Sequence, residues 1–182
     1  MDRDELMGVL AYMRPFVERA AGLSSAVDAG PGMAGFCRGA SAALLAVLDP
    51  ADPGGMWRIA GGCGEECVPL PPLARRHVIS GLFPGGMIDT DGVWRGHFWV
   101  EGMTSCGSEV ILDLTADQFG YDRITVIDRD DPRYRANLLS TYEPLVACER
   151  AWGARIAKEV VASLSGAPAL SDIEVEGYAE AA

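Results

Sequence analysis

The spacing of apolar and polar residues divides the chain into helical and extended stretches. Residues 5–22 place Leu6, Val9, Leu10, Met13, Phe16, Val17 and Ala20 on one helical stripe. Pro15 lies inside that stripe and predicts a kink or two short helices. A Gly/Pro-rich loop around 28–35 leads into an Ala/Leu-rich helix starting at Cys37. Its apolar face carries Phe36, Ala40, Leu44, Val47 and Leu48. Asp49-Pro50 and the turn residues Asp52-Pro53-Gly54-Gly55 end it. Met56–Ala60 reads as a short strand. Gly61–Arg95 has no strong periodicity, apart from short edge strands expected at His77–Ile79 and Met87–Ile88. Long irregular connections of this kind often line a binding site.

The most regular stretch is Gly96–Gly120. Phe98-Trp99-Val100 and Val110-Ile111-Leu112 flank a Gly/Ser/Thr-rich turn, which predicts an antiparallel hairpin. Thr115–Gln118 fits a capping box, with Thr115 as N-cap and Gln118 reaching back from N3. Ile124–Ile127 is a further strand. From Arg133 to about Ser165 the pattern is helical, interrupted at Pro144. Cys148, Trp152, Ile156, Val160 and Leu164 predict one buried face there. We expect a single domain over residues 1–170 and an acidic, frayed tail over 171–182.

Candidate chemistry follows from the hairpin. Pairing its strands sets His97 and Asp113 side by side at one end, and an imidazole beside a carboxylate is the orienting half of a nucleophilic triad. Cys37 would supply the rest. A thiol in the first turn of a helix meets the positive end of the macrodipole and unpaired N–H groups, which favour thiolate, as a nearby imidazolium would. The expected catalytic residues are therefore Cys37 as nucleophile, His97 as base and Asp113 as orienter. Each also has a structural reading: a core thiol, a satisfied strand-edge histidine and a turn cap. Trp99 shares a face with His97 and would shield the pair or simply fill the core. Glu101 and Asp91 read as solvated.

The chain has 182 residues, 49% of them apolar, and a formal charge of −11. One lysine, Lys158, accompanies fourteen arginines. This balance argues against phosphate-backbone binding, and no basic stripe or nucleic-acid motif is present. The start, Met1-Asp2-Arg3-Asp4-Glu5, lacks the basic-then-apolar order of a signal peptide. No run approaches the ~18 apolar residues of a membrane span. Five cysteines suggest free thiols in a reducing cytoplasm. Cys63-Gly64-Glu65-Glu66-Cys67 with His77 has the outline of a metal half-site, but a second ligand pair is missing, so no metal is expected.

Taken together, GFCRGASAALLAVLDP, the strand WRIAGG, then GHFWVEG and VILDLT resemble the transglutaminase-like branch of the papain-like thiol enzymes. The resemblance spans roughly residues 34–128. It implies an α+β fold in which the nucleophile helix packs on an antiparallel sheet of four or more strands. It assigns the triad to Cys37, His97 and Asp113. It also implies acyl chemistry through an acyl-Cys37 intermediate, without cofactor, on a peptide, protein or small amide substrate. The activity would be that of a peptidase, amidase or deamidase, with an amine acyltransferase as the alternative. A catalytically silent binding or assembly module is the reading of a different class. The segment before Cys37 lacks the glutamine that papain-type proteases use for the oxyanion, and Gly61–Arg95 carries no landmark of the family. DLTADQFG (Asp113–Gly120) also resembles small bacterial proteins of the same general architecture, a likeness that carries no activity.

Overall fold

A computed structural model describes residues 1–22, 36–51, 56–64, 85–136 and 147–165. These residues form a mixed α+β arrangement of three α-helices and one curled antiparallel sheet. The helices are α1 (Arg3–Ala20), α2 (Cys37–Leu48) and α3 (Ala147–Leu164). The strands are β1 (Arg58–Gly64), β2 (Gly86–Ile88), β3 (Trp94–Met103), β4 (Glu109–Asp113), β5 (Thr125–Asp128) and β6 (Tyr134–Arg135).

Helix α1 begins at a complete capping box, Asp2 with Glu5, and runs unbroken through Pro15. Two short helices do not form. An interior proline costs about 3 kcal/mol, whereas each fully buried aliphatic side chain contributes about 1.5–3 kcal/mol. Leu6, Leu10, Met13 and Val17 are all buried, so the stripe outweighs the proline. Helices α2 and α3 pack closely at small residues. A Cβ at Gly39 would lie 2.5 Å from the Trp152 ring, and one at Gly153 would lie 2.7 Å from Ala42.

Strand β3 organises the sheet. Along one edge it pairs with β1, from Arg58↔Glu101 to Gly64↔Arg95. The other edge is divided. Strand β4 takes Val100 to Met103, and β2 takes Trp94 and Arg95. Beyond them lie β5, paired with β4, and β6, paired with β2. Between β2 and β4, residues 96–99 have no ladder partner on that edge among the described residues. Alternation along β3 and β4 then sorts two cores. Val100, Val110 and Leu112 join the helices, with Leu10, Leu44 and Ile156. Trp99, Ile111 and Tyr134 form a second cluster with Met87.

Several expectations change here. Strand β1 continues through Gly64, into the stretch expected to be irregular. Strand β2 lies between β3 and β6 rather than at an edge. Residues 134–135 are extended, not helical, because they pair with β2. Leu164 is 65% exposed, so the buried face of α3 ends at Val160. The strand at His77–Ile79, the break at Pro144 and the tail 171–182 lie outside the described residues. So do Cys67, His77 and the side chains of Cys63 and Cys148.

Candidate active site

His97 sits on β3 inside the gap between β2 and β4. The β3–β4 register pairs Val100 with Leu112, so Asp113 falls opposite Trp99 and lies diagonal to His97 on the same face. The ring is fully buried, and Nε2 is 2.7 Å from Asp113 Oδ2. Gly62 on β1 lies opposite His97 across the other edge. A Cβ there would come within 2.4 Å of the Gly85 backbone, so only glycine lets β1 and the start of β2 close around this point.

Asp113 accepts four hydrogen bonds. Besides His97, the Tyr134 hydroxyl donates to Oδ2 at 2.8 Å. The Thr115 N–H and hydroxyl donate to Oδ1 at 2.8 and 3.2 Å. Burial pushes this carboxyl up, but the His97 charge and these donors outweigh it and hold it below the usual carboxylate range. Tyr134 is held far above the ordinary phenol range by burial and by the Asp113 charge, so it remains a donor.

Cys37 is the first residue of α2, and the Ala40 N–H closes that helix's first turn onto the Phe36 carbonyl at 2.8 Å. The thiol is free and 7% exposed. Cys37 is one of the groups near enough to His97 to raise the imidazole. Burial opposes charge on the imidazole; the Asp113 charge and hydrogen bond, with Cys37, outweigh it and push it up to about 10. The structure thus brings Cys37, His97 and Asp113 together, all three buried.

Two residues of the site carry no functional mark in the sequence. Tyr134 lies in a stretch whose pattern reads as helical, and no local signal marks it. Gln118 fits a capping box by spacing, but that box does not form. Thr115 gives both its donors to Asp113, a charged and therefore stronger acceptor. Gln118 Nε2 instead donates to the Thr115 carbonyl at 2.9 Å and stands 3.3 Å from His97 Nδ1. The short 3-10 turn that carries it, Ala116–Phe119, also sets Phe119 edge-on to the His97 ring, with centroids 4.7 Å apart. Buried Arg14 of α1 clamps this turn: it pairs with Asp117 at 2.6 Å and donates to the Leu114 carbonyl.

Nearby residues behave less as expected. Trp99 is buried with its ring 6.0 Å from His97, and its N–H donates to Glu101. Glu101 is buried rather than solvated, because Arg58 and Arg129 neutralise it at 2.9 and 3.4 Å. Asp91 is exposed. Among the described residues, no group of three His, Cys, Asp or Glu side chains could hold a metal ion, and no helix is long and apolar enough to cross a membrane. No protein-family model, curated protein or solved structure gives a significant match to the chain.

Proposed function

We propose that this chain is a thiol enzyme acting at an acyl carbon, in a papain-like arrangement of the transglutaminase-like kind. One observation carries the reading: a fully buried imidazole bonded to the Asp113 carboxylate through Nε2, with the thiol that opens α2 among the groups that raise it. A buried charged pair without such a task is costly, since apolar residues of the same volume often serve stability as well.

In the proposed reaction the Cys37 thiolate attacks the carbonyl carbon of an amide or thioester, forming a C–S bond and an oxyanion. N–H groups at the start of α2, that of Cys37 among them, receive the oxyanion. His97 delivers its Nδ1 proton to the departing nitrogen or sulfur as that bond breaks. It then takes a proton from the acceptor, water in a peptidase, amidase or deamidase and an amine in a transferase. The acceptor displaces Cys37 from the acyl group. Asp113 holds the ring orientation and stabilises its charge throughout.

The test is alkylation by an electrophilic thiol probe, followed residue by residue. Cys106 needs a control: it is exposed, and hydrogen bonds from Ser108 and Thr104 bring its thiol down to about 7. The Cys106→Ser chain therefore serves as the reference. Fast modification of Cys37 that is lost in His97→Ala supports the enzyme. Slow modification of Cys37, indifferent to His97, supports a silent binding module.

A further inference from the structure

The two nitrogens of His97 face opposite chemistry. Nε2 meets a charged acceptor, Asp113. Nδ1 meets Gln118 Nε2. The orientation of that amide is decided from its far side, where the same Nε2 lies 2.9 Å from the Thr115 carbonyl. A carbonyl only accepts, so the NH2 end occupies this position and the amide oxygen does not. Its second N–H is then available to His97. An N–H facing Nδ1 is matched only when Nδ1 carries a lone pair. Asp113 therefore favours a doubly protonated ring, while Gln118 favours a ring protonated on Nε2 alone.

We propose that Gln118 is a positioning residue that donates to Nδ1 of neutral His97 and so eases loss of the Nδ1 proton. Its catalytic consequence rests on the thiol-enzyme reading. When His97 protonates the leaving group, the lone pair left on Nδ1 is met at once by Gln118, and the imidazolium becomes a better acid. Among the described residues, the titratable groups facing the ring are Asp113 from β4, Cys37 from α2 and Tyr134 from β6. Trp99 and Phe119 add only aromatic surface. Asp113 and Cys37 push the ring toward charge, and Gln118 opposes them. The Arg14 clamp on Asp117 and Leu114 keeps the turn, and with it the amide, in place.

The test reads the ring itself. The chain has two histidines, His77 and His97. Nitrogen-15 labelling of histidine therefore gives two ring systems, assigned by comparison with His97→Gln. In Gln118→Met, nearly the same size without a donor, the His97 midpoint should rise by roughly half a unit to one unit. In Gln118→Glu, which replaces the donor with an acceptor, it should rise further. In the unsubstituted chain, the Gln118 side-chain amide resonances should titrate together with His97. An unchanged midpoint in a folded Gln118→Met chain overturns the proposal. If that variant does not fold, amide resonances in the unsubstituted chain that ignore the His97 titration overturn it equally. Loss of the enzyme reading looks different: Cys37 alkylation is then indifferent to His97, while the ring titration still responds to Gln118.

Discussion

Both faces of the β3–β4 hairpin carry buried side chains, and they hold the fold by different means. On one face, Val100, Val110 and Leu112 meet helices α1, α2 and α3 through apolar contact alone. On the other, His97, Glu101 and Asp113 are buried among Trp99, Ile111 and Tyr134. Each polar group there has a named partner. Apolar contact has no preferred direction and tolerates repacking. A buried charge is tolerable only while every partner stays in place. The helix face thus supplies stability, and the polar face converts that stability into fixed geometry around His97.

The sharpest way to break this contrast is Asp113→Asn. The substitution keeps the volume and removes the charge, so His97 loses the acceptor that selects its tautomer. We expect Cys37 alkylation to fall roughly 100-fold or more. Stability should also fall by about 3 kcal/mol, because four donors lose a charged acceptor. Unchanged alkylation with a lowered thermal midpoint would reduce Asp113 to scaffold and leave a Cys–His dyad.

Leu112→Ala probes the opposite face one residue away. It should cost about 3 kcal/mol in chemical denaturation, with alkylation per folded molecule retained. A comparable loss of Cys37 reactivity would show that the two faces are not separable.

A third difference lies in pH. Between about 6.5 and about 10 the folded chain keeps a proton on His97 that the unfolded chain has released. Stability should therefore fall as pH rises through that window, by at most about 1.4 kcal/mol per unit. On the acid side the sign reverses. Asp113 stays ionised in the folded chain after its unfolded counterpart takes a proton near 3.8, so stability falls as pH drops below that value. The alkaline slope should flatten in His97→Gln and persist in Leu112→Ala; the same slope in both variants would place its origin elsewhere.

The smallest expected effect belongs to Tyr134→Phe. It removes one of the four bonds to Asp113 and should cost about 1 kcal/mol. The His97 titration should shift slightly while Cys37 alkylation persists. A loss as large as that of Asp113→Asn would mean that Tyr134, not His97, is the main partner of the carboxylate.

Local pattern made the helices and the hairpin legible, because a 3.6-residue or two-residue repeat records which side of an element meets the core. It also pointed to Cys37 at a helix start and to His97 and Asp113 on neighbouring strands. It misread what depends on distant partners. Residues 134–135 have no strand periodicity of their own and are extended because β2 pairs with them. Thr115 and Gln118 fit a capping box by spacing, but a capping box competes with every other acceptor in reach. Asp113 offered the better one. Arg14, on a stripe of otherwise apolar burial, carries no mark in the sequence of the carbonyls and the carboxylate it clamps a hundred residues away.

Periodicity along the chain made most elements and the chemistry they present readable: an α+β chain, a thiol opening a helix, and an imidazole and a carboxylate on adjacent strands. What each of those groups faces follows from how the strands and turns cross in space. The division of the β3 edge between β2 and β4 opens the gap in which His97 sits. Through that gap the turn after β4 brings an amide to Nδ1, and β6 brings a phenol to Asp113. Hydrogen bonds reach only about 3 Å, so they depend on where backbones cross in space, and neighbours along the chain do not encode that crossing.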